Sequence, residues 1–217
     1  MSTTYLNLVN EVLRRLREDV VTSVSQNTYS TMVGDFVNDA KRNVEDSHEW
    51  STLRTTIVVT TEAGVIDYAL TNAGERVKVY SAINDTSNFF MNYESPNWFN
   101  NAYYISGEVT GTPDSYTFNG VDTNSDTKIK VYPKPSGVFS LRFDLIARED
   151  ELSGDTETTV LPKNAIVHNA VALLARERGE TGGTTAQDYF LIADKHLSDA
   201  IALDAYKNPE EFIYTVP

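Results

Sequence analysis

The sequence predicts an α+β fold in which the N- and C-terminal helix pairs form a four-helix bundle, with a β-rich insertion in the middle. Three observations support this prediction: apolar residues recur three and four positions apart near both ends, short alternating runs fill the middle, and a proline follows the last helical pattern. The bundle is assigned to residues 1–50 and 160–206, the insertion to residues 51–159, and an extended C-terminal tail to residues 207–217. A chain of 217 residues is long enough to bury a sizeable core.

The two N-terminal helices are predicted from single apolar stripes. The first spans about Thr3 to Glu18, and the second spans about Ser25 to Glu49 and is closed by Trp50. The stripe residues are Leu6, Val9, Leu13 and Leu16 in the first helix, and Tyr29, Met32, Val33, Phe36, Val37, Ala40 and Val44 in the second. Because a helix with one apolar stripe needs a partner, we expect both to pack in the bundle.

Strand-like patterns replace the helical period in the middle of the chain. Short β-branched or aromatic runs, separated by turns rich in Asn, Gly and Pro, predict strands at residues 55–61, 65–70, 77–83, 102–105 and 116–118. Lys128 to Tyr132 alternates as a half-buried strand, and Pro133 to Gly137 then forces a turn. A second alternating strand, Phe139 to Ile146, follows that turn.

Helical periodicity returns after Pro162. The apolar face of the third helix is formed by Ala165, Ile166, Asn169, Ala170, Leu173 and Leu174. This helix ends near Gly179, and the last helix spans about Thr184 to Tyr206. Pro209 ends the helical pattern, so we expect the residues that follow to be extended.

Composition excludes several classes of function. The net charge of −13 argues against general nucleic-acid binding, because phosphate contacts need lysine and arginine. The absence of cysteine excludes a disulfide framework and thiolate metal sites. No apolar run approaches the length that crosses a bilayer, and the chain does not open with the charged and apolar regions of a signal peptide, so we expect no membrane association.

No catalytic constellation stands out, so we expect no enzyme activity, no metal site and no cofactor. His48, His168 and His196 lack the spacing of a zinc motif. No serine lies in a nucleophile elbow, and no phosphate-loop motif is present.

An acidic run in the middle of the chain begins like a calcium loop. Asp122, Asn124 and Asp126 stand at the first three ligand positions. Thr127 and Pro133, however, occupy the positions where the loop needs glycine and a bidentate glutamate. The pattern therefore predicts a polar hairpin loop.

Two charged clusters are also better explained without a binding site. The cluster Arg14, Arg15 and Arg17 contains two residues with an acidic residue four positions away, since Arg15 can pair with Glu11 and Arg14 with Glu18. This indicates a solvated, salt-bridged helix face or a subunit contact more than a phosphate site. The acidic run from Glu149 to Glu151 is interpreted as a solvated linker, although counting alone leaves open a glycosidase-like carboxylate pair.

Three sequence features occur in an order that is typical of a known protein family. The corner VYPKPSG (Val131 to Gly137) lies between two alternating runs, and Leu161-Pro162 opens two helices. Near the end of the second helix the series runs Asn38-Asp39-Ala40, Val44, Trp50 and Leu53. This order resembles the head-to-tail adaptor proteins of tailed bacteriophages (head-tail connectors, or tail tubular protein A), in which a hairpin turns on a similar corner before two C-terminal helices.

The resemblance implies a virion structural protein at the head–tail interface that is made in the host cytoplasm. Such a protein is a ring-forming adaptor that joins the portal to the tail or nozzle and lines the DNA channel. The ring is expected to be a dodecamer, to match a twelve-fold portal. Genomic DNA is expected to pass without specific binding, because a ring of chains of net charge −13 repels it.

Two segments are candidate partner-binding sites. The tail carries Phe212, Ile213, Tyr214 and Val216, which are too apolar for a segment that stays in water. By the resemblance, their partner is the portal, with a neighbouring subunit as the alternative. A second aromatic segment carries Phe89, Phe90, Tyr93, Trp98 and Phe99, for which we expect contacts with the tail or nozzle protein or with another subunit.

A β-rich recognition module of a phage tail, binding carbohydrate or a host receptor, is the alternative function. Its stacking platforms would be Tyr93, Trp98, Phe99, Tyr103 and Tyr104. Glycan binding by the isolated protein would distinguish the two functions, since an adaptor should show none.

Overall fold

The computed structural model describes residues 3–179 and 184–207. The chain divides into two compact units, one made of Met1–Thr52 with Glu149–Pro217 and the other of Leu53–Arg148. The second unit ends at Arg148, whereas the sequence pattern extends the β-rich insertion to residue 159.

The described residues contain five α-helices and twelve strand segments. The helices are α1 (Tyr5–Arg15), α2 (Thr28–Ser47), α3 (Pro96–Asn100), α4 (Lys163–Glu177) and α5 (Thr184–Ala205). The strands are β1 (Thr3–Thr4), β2 (Arg54–Thr60), β3 (Asp67–Ala69), β4 (Val77–Asn84), β5 (Phe89–Phe90), β6 (Asn92–Tyr93), β7 (Thr110–Gly111), β8 (Ser115–Val121), β9 (Thr127–Tyr132), β10 (Lys134–Pro135), β11 (Ser140–Ala147) and β12 (Thr158–Thr159). Short 3₁₀ turns lie at Val24–Gln26 and Ser51–Leu53, and a π-helical turn at Asn101–Ile105.

The prediction of a four-helix bundle is wrong: the chain is a mixed α+β protein with its strands in several sheets. In the first unit the helices gather around α4, whose buried residues lie on nearly all its sides. Both α1 and α2 pack on α4 and on each other, but α5 packs chiefly on α4 alone. Closing a bundle requires each helix to be covered by two neighbours, and α5 lacks the second. The unit also contains a two-stranded sheet, in which β1 pairs with β12.

Local signals explain where the N-terminal helices begin. The Thr4 hydroxyl accepts the Asn7 N–H at the start of α1, and a reciprocal capping box between Asn27 and Ser30 starts α2. The two helices then approach closely at Gly34. A Cβ on Gly34 would collide with the Tyr5 hydroxyl and lie 2.8 Å from Val24 Cγ1, so glycine is needed for this packing.

The second unit is built from two four-stranded sheets. One has the strand order β2-β11-β4-β5 and the other β3-β9-β8-β6. Alternate residues of the longer strands enclose one core, formed by Val59, Leu70, Ala73, Ala82, Met91, Tyr116, Ile129, Val131, Leu141, Phe143 and Leu145. The alternation read from the sequence at residues 128–132 and 139–146 is therefore confirmed as β9 and β11.

The proline corner does not form a hairpin. Strand β9 pairs with β3 and β8, whereas β11 pairs with β2 and β4 in the other sheet. The corner carries the chain from one sheet to the other, through a cis Tyr132-Pro133 bond and the short strand β10, which pairs with β7. Two alternating runs on either side of a turn predict strands, but their side chains do not show whether the strands are partners.

Candidate functional site

The predicted aromatic segment is only partly at the surface of the second unit. Phe89 and Phe90 form the short outer strand β5, where Phe90 lies opposite Ile83. Phe90 is 72% exposed, while Phe89 is half-buried. Tyr93 is also exposed, and its ring contacts those of Tyr116 and Phe118 at centroid distances of 5.7 and 5.8 Å.

Trp98 and Phe99 are neighbours with opposite environments. Trp98 lies partly exposed on α3, with its ring edge-on to Tyr132 at 5.1 Å. Phe99 is only 2% exposed and packs against Tyr103 and Tyr132. Phe99 therefore stabilises the unit from inside, and Phe90, Tyr93 and Trp98 are the members of the segment that present most surface to a partner.

The chain after α3 is a helical turn, so the strand predicted at residues 102–105 is wrong. The π-helical turn at residues 101–105 buries Ala102 and Tyr103 and turns Tyr104 and Ile105 outward. Tyr104 is 74% exposed and Ile105 is 81% exposed. Ile105 was not predicted from the sequence as a surface residue. The spacing of Phe99, Ala102 and Tyr103, three and four positions apart, is the helical signal that the aromatic composition hid.

The burial of two aromatic side chains also argues against the alternative function, in which this segment would bind carbohydrate. The Tyr103 hydroxyl donates a hydrogen bond to the Val131 carbonyl, and burial raises the pKa of this tyrosine above its usual value. With Phe99 and Tyr103 both buried, two of the five proposed stacking rings cannot meet a sugar.

A second set of exposed apolar side chains lies on α5. Its described residues bury only Ala193 and Asp204, while Leu191, Ile192 and Leu203 are exposed, as is Tyr206 directly after the helix. None of these outward residues was predicted from the sequence to contact a partner. A helix that is apolar on more than one face is typical of a protein that buries the remaining face against a partner.

The tail residues Phe212, Ile213, Tyr214 and Val216 lie outside the described residues. Their assignment to the portal or a neighbouring subunit therefore stays a prediction.

The acidic segment after the second unit is held by hydrogen bonds, which corrects its interpretation as a solvated linker. Lys41, only 3% exposed, donates from Nζ to Glu45 Oε1 at 3.0 Å and to the carbonyls of Glu149 and Asp150 at 3.1 and 3.0 Å. The Glu149 carboxylate accepts from the Thr159 hydroxyl at 2.5 Å. Burial raises the pKa of the Glu45 carboxyl, while its hydrogen bond and ion pair with Lys41 oppose the rise.

Further along, the same segment is fixed to α1 and α2 through its backbone. Asn38 donates to the Leu152 carbonyl at 2.9 Å and accepts the Leu152 N–H at 3.1 Å. The Tyr5 N–H donates to the Glu157 carbonyl at 2.8 Å. The acidic segment thus completes the helical unit, and the Glu149 carboxylate is engaged with Thr159, Val160 and Lys41.

A serine, a histidine and an aspartate meet where α2 and α5 end, but they do not form a catalytic triad. The Ser51 N–H and hydroxyl both donate to Asp204, at 2.8 and 2.5 Å, and His48 Nε2 lies 3.4 Å from Asp204 Oδ2. A triad needs histidine between serine and aspartate, whereas here the carboxylate lies between the other two. Asp204 therefore fixes the end of α5 to the turn after α2.

The other predicted sites have structural roles. Asp126 is buried and accepts the N–H groups of Asn72 and Gly74, both at 3.0 Å, as expected for a polar loop and not for a calcium ligand. Arg15 pairs with Glu11 at 3.3 Å, which confirms the salt-bridged helix face. Among the residues that the structure describes there is no cluster of three or more potential metal ligands, and no described helix has the length and apolarity to span a membrane.

Comparison with known proteins agrees with a structural role. The family model of the SU10 adaptor protein matches residues 3–210, nearly the whole chain. No curated protein matches the chain. The resemblance to phage adaptors is thereby confirmed at the level of the family, while the finer assignment to tail tubular protein A stays a prediction. The chain belongs to the SU10 adaptor protein family, and it is a structural adaptor of a phage virion.

Proposed function

We propose that this adaptor forms a ring between the portal and the tail or nozzle of the virion, around the channel through which DNA passes, and that it has no catalytic activity. The observation that carries the proposal is the match to the adaptor family over residues 3–210. A ring of twelve copies, matching a twelve-fold portal, is the stoichiometry that the family resemblance favours.

Two separate sets of exposed apolar residues support a protein with more than one partner. The second unit carries Phe90, Tyr93, Trp98, Tyr104 and Ile105. The first carries Leu191, Ile192 and Leu203 on α5, with Tyr206 directly after it. Exposed apolar patches are typical of surfaces that are covered by other proteins. We assign the patch of the second unit to the tail or nozzle protein or to a neighbouring subunit.

The charge of the chain supports a channel that does not hold DNA. A net charge of −13 per copy gives a ring with a strongly negative field, which repels phosphate and lets DNA pass without specific binding. A gel-shift measurement at low salt should show no complex with duplex DNA. A complex that is stable in low salt would contradict this part of the proposal.

The central experiment measures assembly by mass. The full chain is analysed alone and after mixing with the portal protein, by sedimentation velocity and electron microscopy. We expect a ring bound to the portal in the mixture. The proposal is wrong if the mixture contains only the separate proteins.

A pair of variants tests the patch of the second unit. If these side chains lie at the contact, the double variant Phe90→Ala/Trp98→Ala should bind the tail or nozzle protein or a neighbouring subunit about tenfold or more weakly than the wild-type chain. Val138→Ala, at another exposed position, is the control. Equal binding by the wild-type chain, the double variant and Val138→Ala would exclude Phe90 and Trp98 from the contact.

Carbohydrate recognition is the competing function, and the burial of Phe99 and Tyr103 disfavours it. A glycan array probed with the isolated full chain would support that function only if binding were lost in Tyr93→Ala and Tyr104→Ala variants.

A further inference from the structure

Strand β2 is the one long outer strand in the described sheets. The outer strands of the two four-stranded sheets are β2 and β5 in one, and β3 and β6 in the other. Strand β2 has 7 residues, whereas β3 has 3 and β5 and β6 have 2 each. Proteins commonly protect sheet edges by keeping the outer strand short, so three of these edges are protected and β2 is not.

The outward main-chain groups of β2 follow from its hydrogen-bond register. The Thr61 N–H donates to the Phe139 carbonyl at 2.9 Å, and the pairing with β11 continues without interruption from Thr60 to Arg54. Since hydrogen-bonded and non-hydrogen-bonded pairs alternate in an antiparallel ladder, odd-numbered residues face β11 and even-numbered residues direct their N–H and C=O groups outward. The outward residues are Arg54, Thr56, Val58 and Thr60, all of them exposed.

The usual devices that prevent strand addition are missing from this edge. Residues 54–60 contain no proline, their pairing with β11 has no bulge, and Arg54 is the only charged side chain. Val58 is also exposed, so the edge offers an apolar contact beside the free hydrogen-bonding groups. An edge of this kind is a template for an extended segment of another chain.

The chain itself contains a segment that fits the edge. Residues 210–216 (EEFIYTV) lie between Pro209 and Pro217, and a proline cannot donate to a strand ladder. The seven residues between them equal the 7 residues of β2, and five of them are aromatic or β-branched, the types favoured in strands.

We propose that residues 210–216 of one copy add as a strand to the open edge of β2 in a second copy. The inference rests on the proposed ring and deepens it by assigning the tail to a neighbouring subunit. A ring requires each contact to join two different surfaces, because a contact between identical surfaces closes a dimer. A tail on one unit and a sheet edge on the other are two such surfaces.

Charge selects the direction of the added strand. In a parallel arrangement Glu210 lies beside Arg54, whereas an antiparallel arrangement brings Glu210 and Glu211 toward Glu62. The parallel arrangement places Phe212 beside Thr56 and Tyr214 beside Val58. Ile213 then points to the opposite face of the sheet.

Disulfide trapping tests this register directly, because the chain has no cysteine of its own. Full-length Val58→Cys is mixed with full-length Tyr214→Cys under assembly conditions with the portal protein and then oxidised. Neighbouring strands lie about 4.8 Å apart, within the range that a disulfide tolerates. We expect a covalent dimer from this pair, and at least about tenfold less from Val58→Cys mixed with Ile213→Cys, whose side chain lies on the other face.

Two outcomes of the trapping experiment would overturn the proposal. Equal yields from the two mixtures would show that the tail does not lie in this register. The double variant Val58→Cys/Tyr214→Cys, diluted before oxidation, should remain without an internal disulfide, and a bond formed within one chain would show that the tail binds its own sheet edge.

A proline substitution separates this inference from the ring itself. Val58→Pro removes an outward N–H, whereas Val58→Ala keeps it and shortens the same side chain. We expect Val58→Pro to raise the concentration needed for ring formation by about tenfold relative to Val58→Ala, with equal melting temperatures for the two. A normal ring from Val58→Pro would overturn strand addition but leave the ring proposal intact, and a wild-type chain that forms no ring would overturn the proposed function.

Discussion

The acidic segment at residues 149–161 and the aromatic segment at residues 89–105 each depart in part from the environment that their composition suggests. The acidic segment is drawn against α2, where the buried Lys41 binds its carbonyls, and Leu161 and Leu152 are buried. The aromatic segment leaves Phe90 and Tyr104 more than two-thirds exposed. The difference shows that burial depends on whether partners are available, and that composition alone does not decide it.

The largest expected effect is the loss of Lys41. Lys41→Ala leaves the Glu45 carboxylate buried without its partner and frees two carbonyls, so we expect a loss of about 4 kcal/mol in the free energy of unfolding. Arg42→Ala is the matched control, because Arg42 pairs with Glu151 at an exposed site and should cost less than about 1 kcal/mol. Urea denaturation measures both. Equal losses would mean that the acidic segment is not anchored by Lys41.

The aromatic segment offers a comparison within itself. Phe99→Ala removes a buried ring that packs against Tyr103 and Tyr132, so we expect a loss of about 3 kcal/mol. Phe90→Ala removes an exposed ring and should change the stability by less than about 0.5 kcal/mol. Thermal unfolding of both variants tests the division of this segment into an inner and an outer set. A large loss from Phe90→Ala would place that ring in the core.

A smaller effect is expected from the amide that holds the centre of the acidic segment. Asn38→Ala removes both hydrogen bonds to Leu152 and should cost about 1–2 kcal/mol. Asn43→Ala, which removes one exposed hydrogen bond to Asn169, serves as the control. Hydrogen exchange at the Leu152 amide should rise in the first variant and stay unchanged in the second. Unchanged exchange in both would show that Asn38 does not hold the segment.

Acidification is expected to lower the stability of the helices at a higher pH than that of the acidic segment. His168 stacks on His196 at 4.1 Å, and burial, the charge of His196 and the charge of Arg15 together lower the pKa of His168 to about 4. Because the folded pKa lies below the ordinary 6.5, the unfolded chain binds more protons between these values, and stability falls as the pH drops from 6.5 toward 4. His168→Asn should flatten the unfolding free energy across this window. The carboxyl of Glu157, whose pKa is lowered by hydrogen bonds from Ser153 and Gly154, contributes its loss only below 4.5.

The candidate sites could be predicted only where the signal was local. The aromatic residues between Phe89 and Phe99 were predicted to contact a partner, and of these Phe90 and Tyr93 are exposed, as such a contact requires. The burial of Phe99 depends on its contact with Tyr132, more than thirty positions away in the chain. The residues next to Phe99 in the sequence do not predict that contact. For the same reason the exposed face of α5 was not foreseen, since it follows from the absence of a second helix beside it.

The sequence by itself determined the four long helices and the six strands of more than two residues, because periodicity is a property of residues that are neighbours along the chain. The apolar stripe of α2 and the alternation of β9 and β11 are examples. The tertiary structure alone decided that β9 and β11 belong to different sheets, and that an acidic segment is bound by Lys41 from about 110 positions away. Sheet partners and buried ion pairs join residues that are distant in the chain, so their selection depends on the energy of the whole fold and leaves no pattern in a short stretch of sequence.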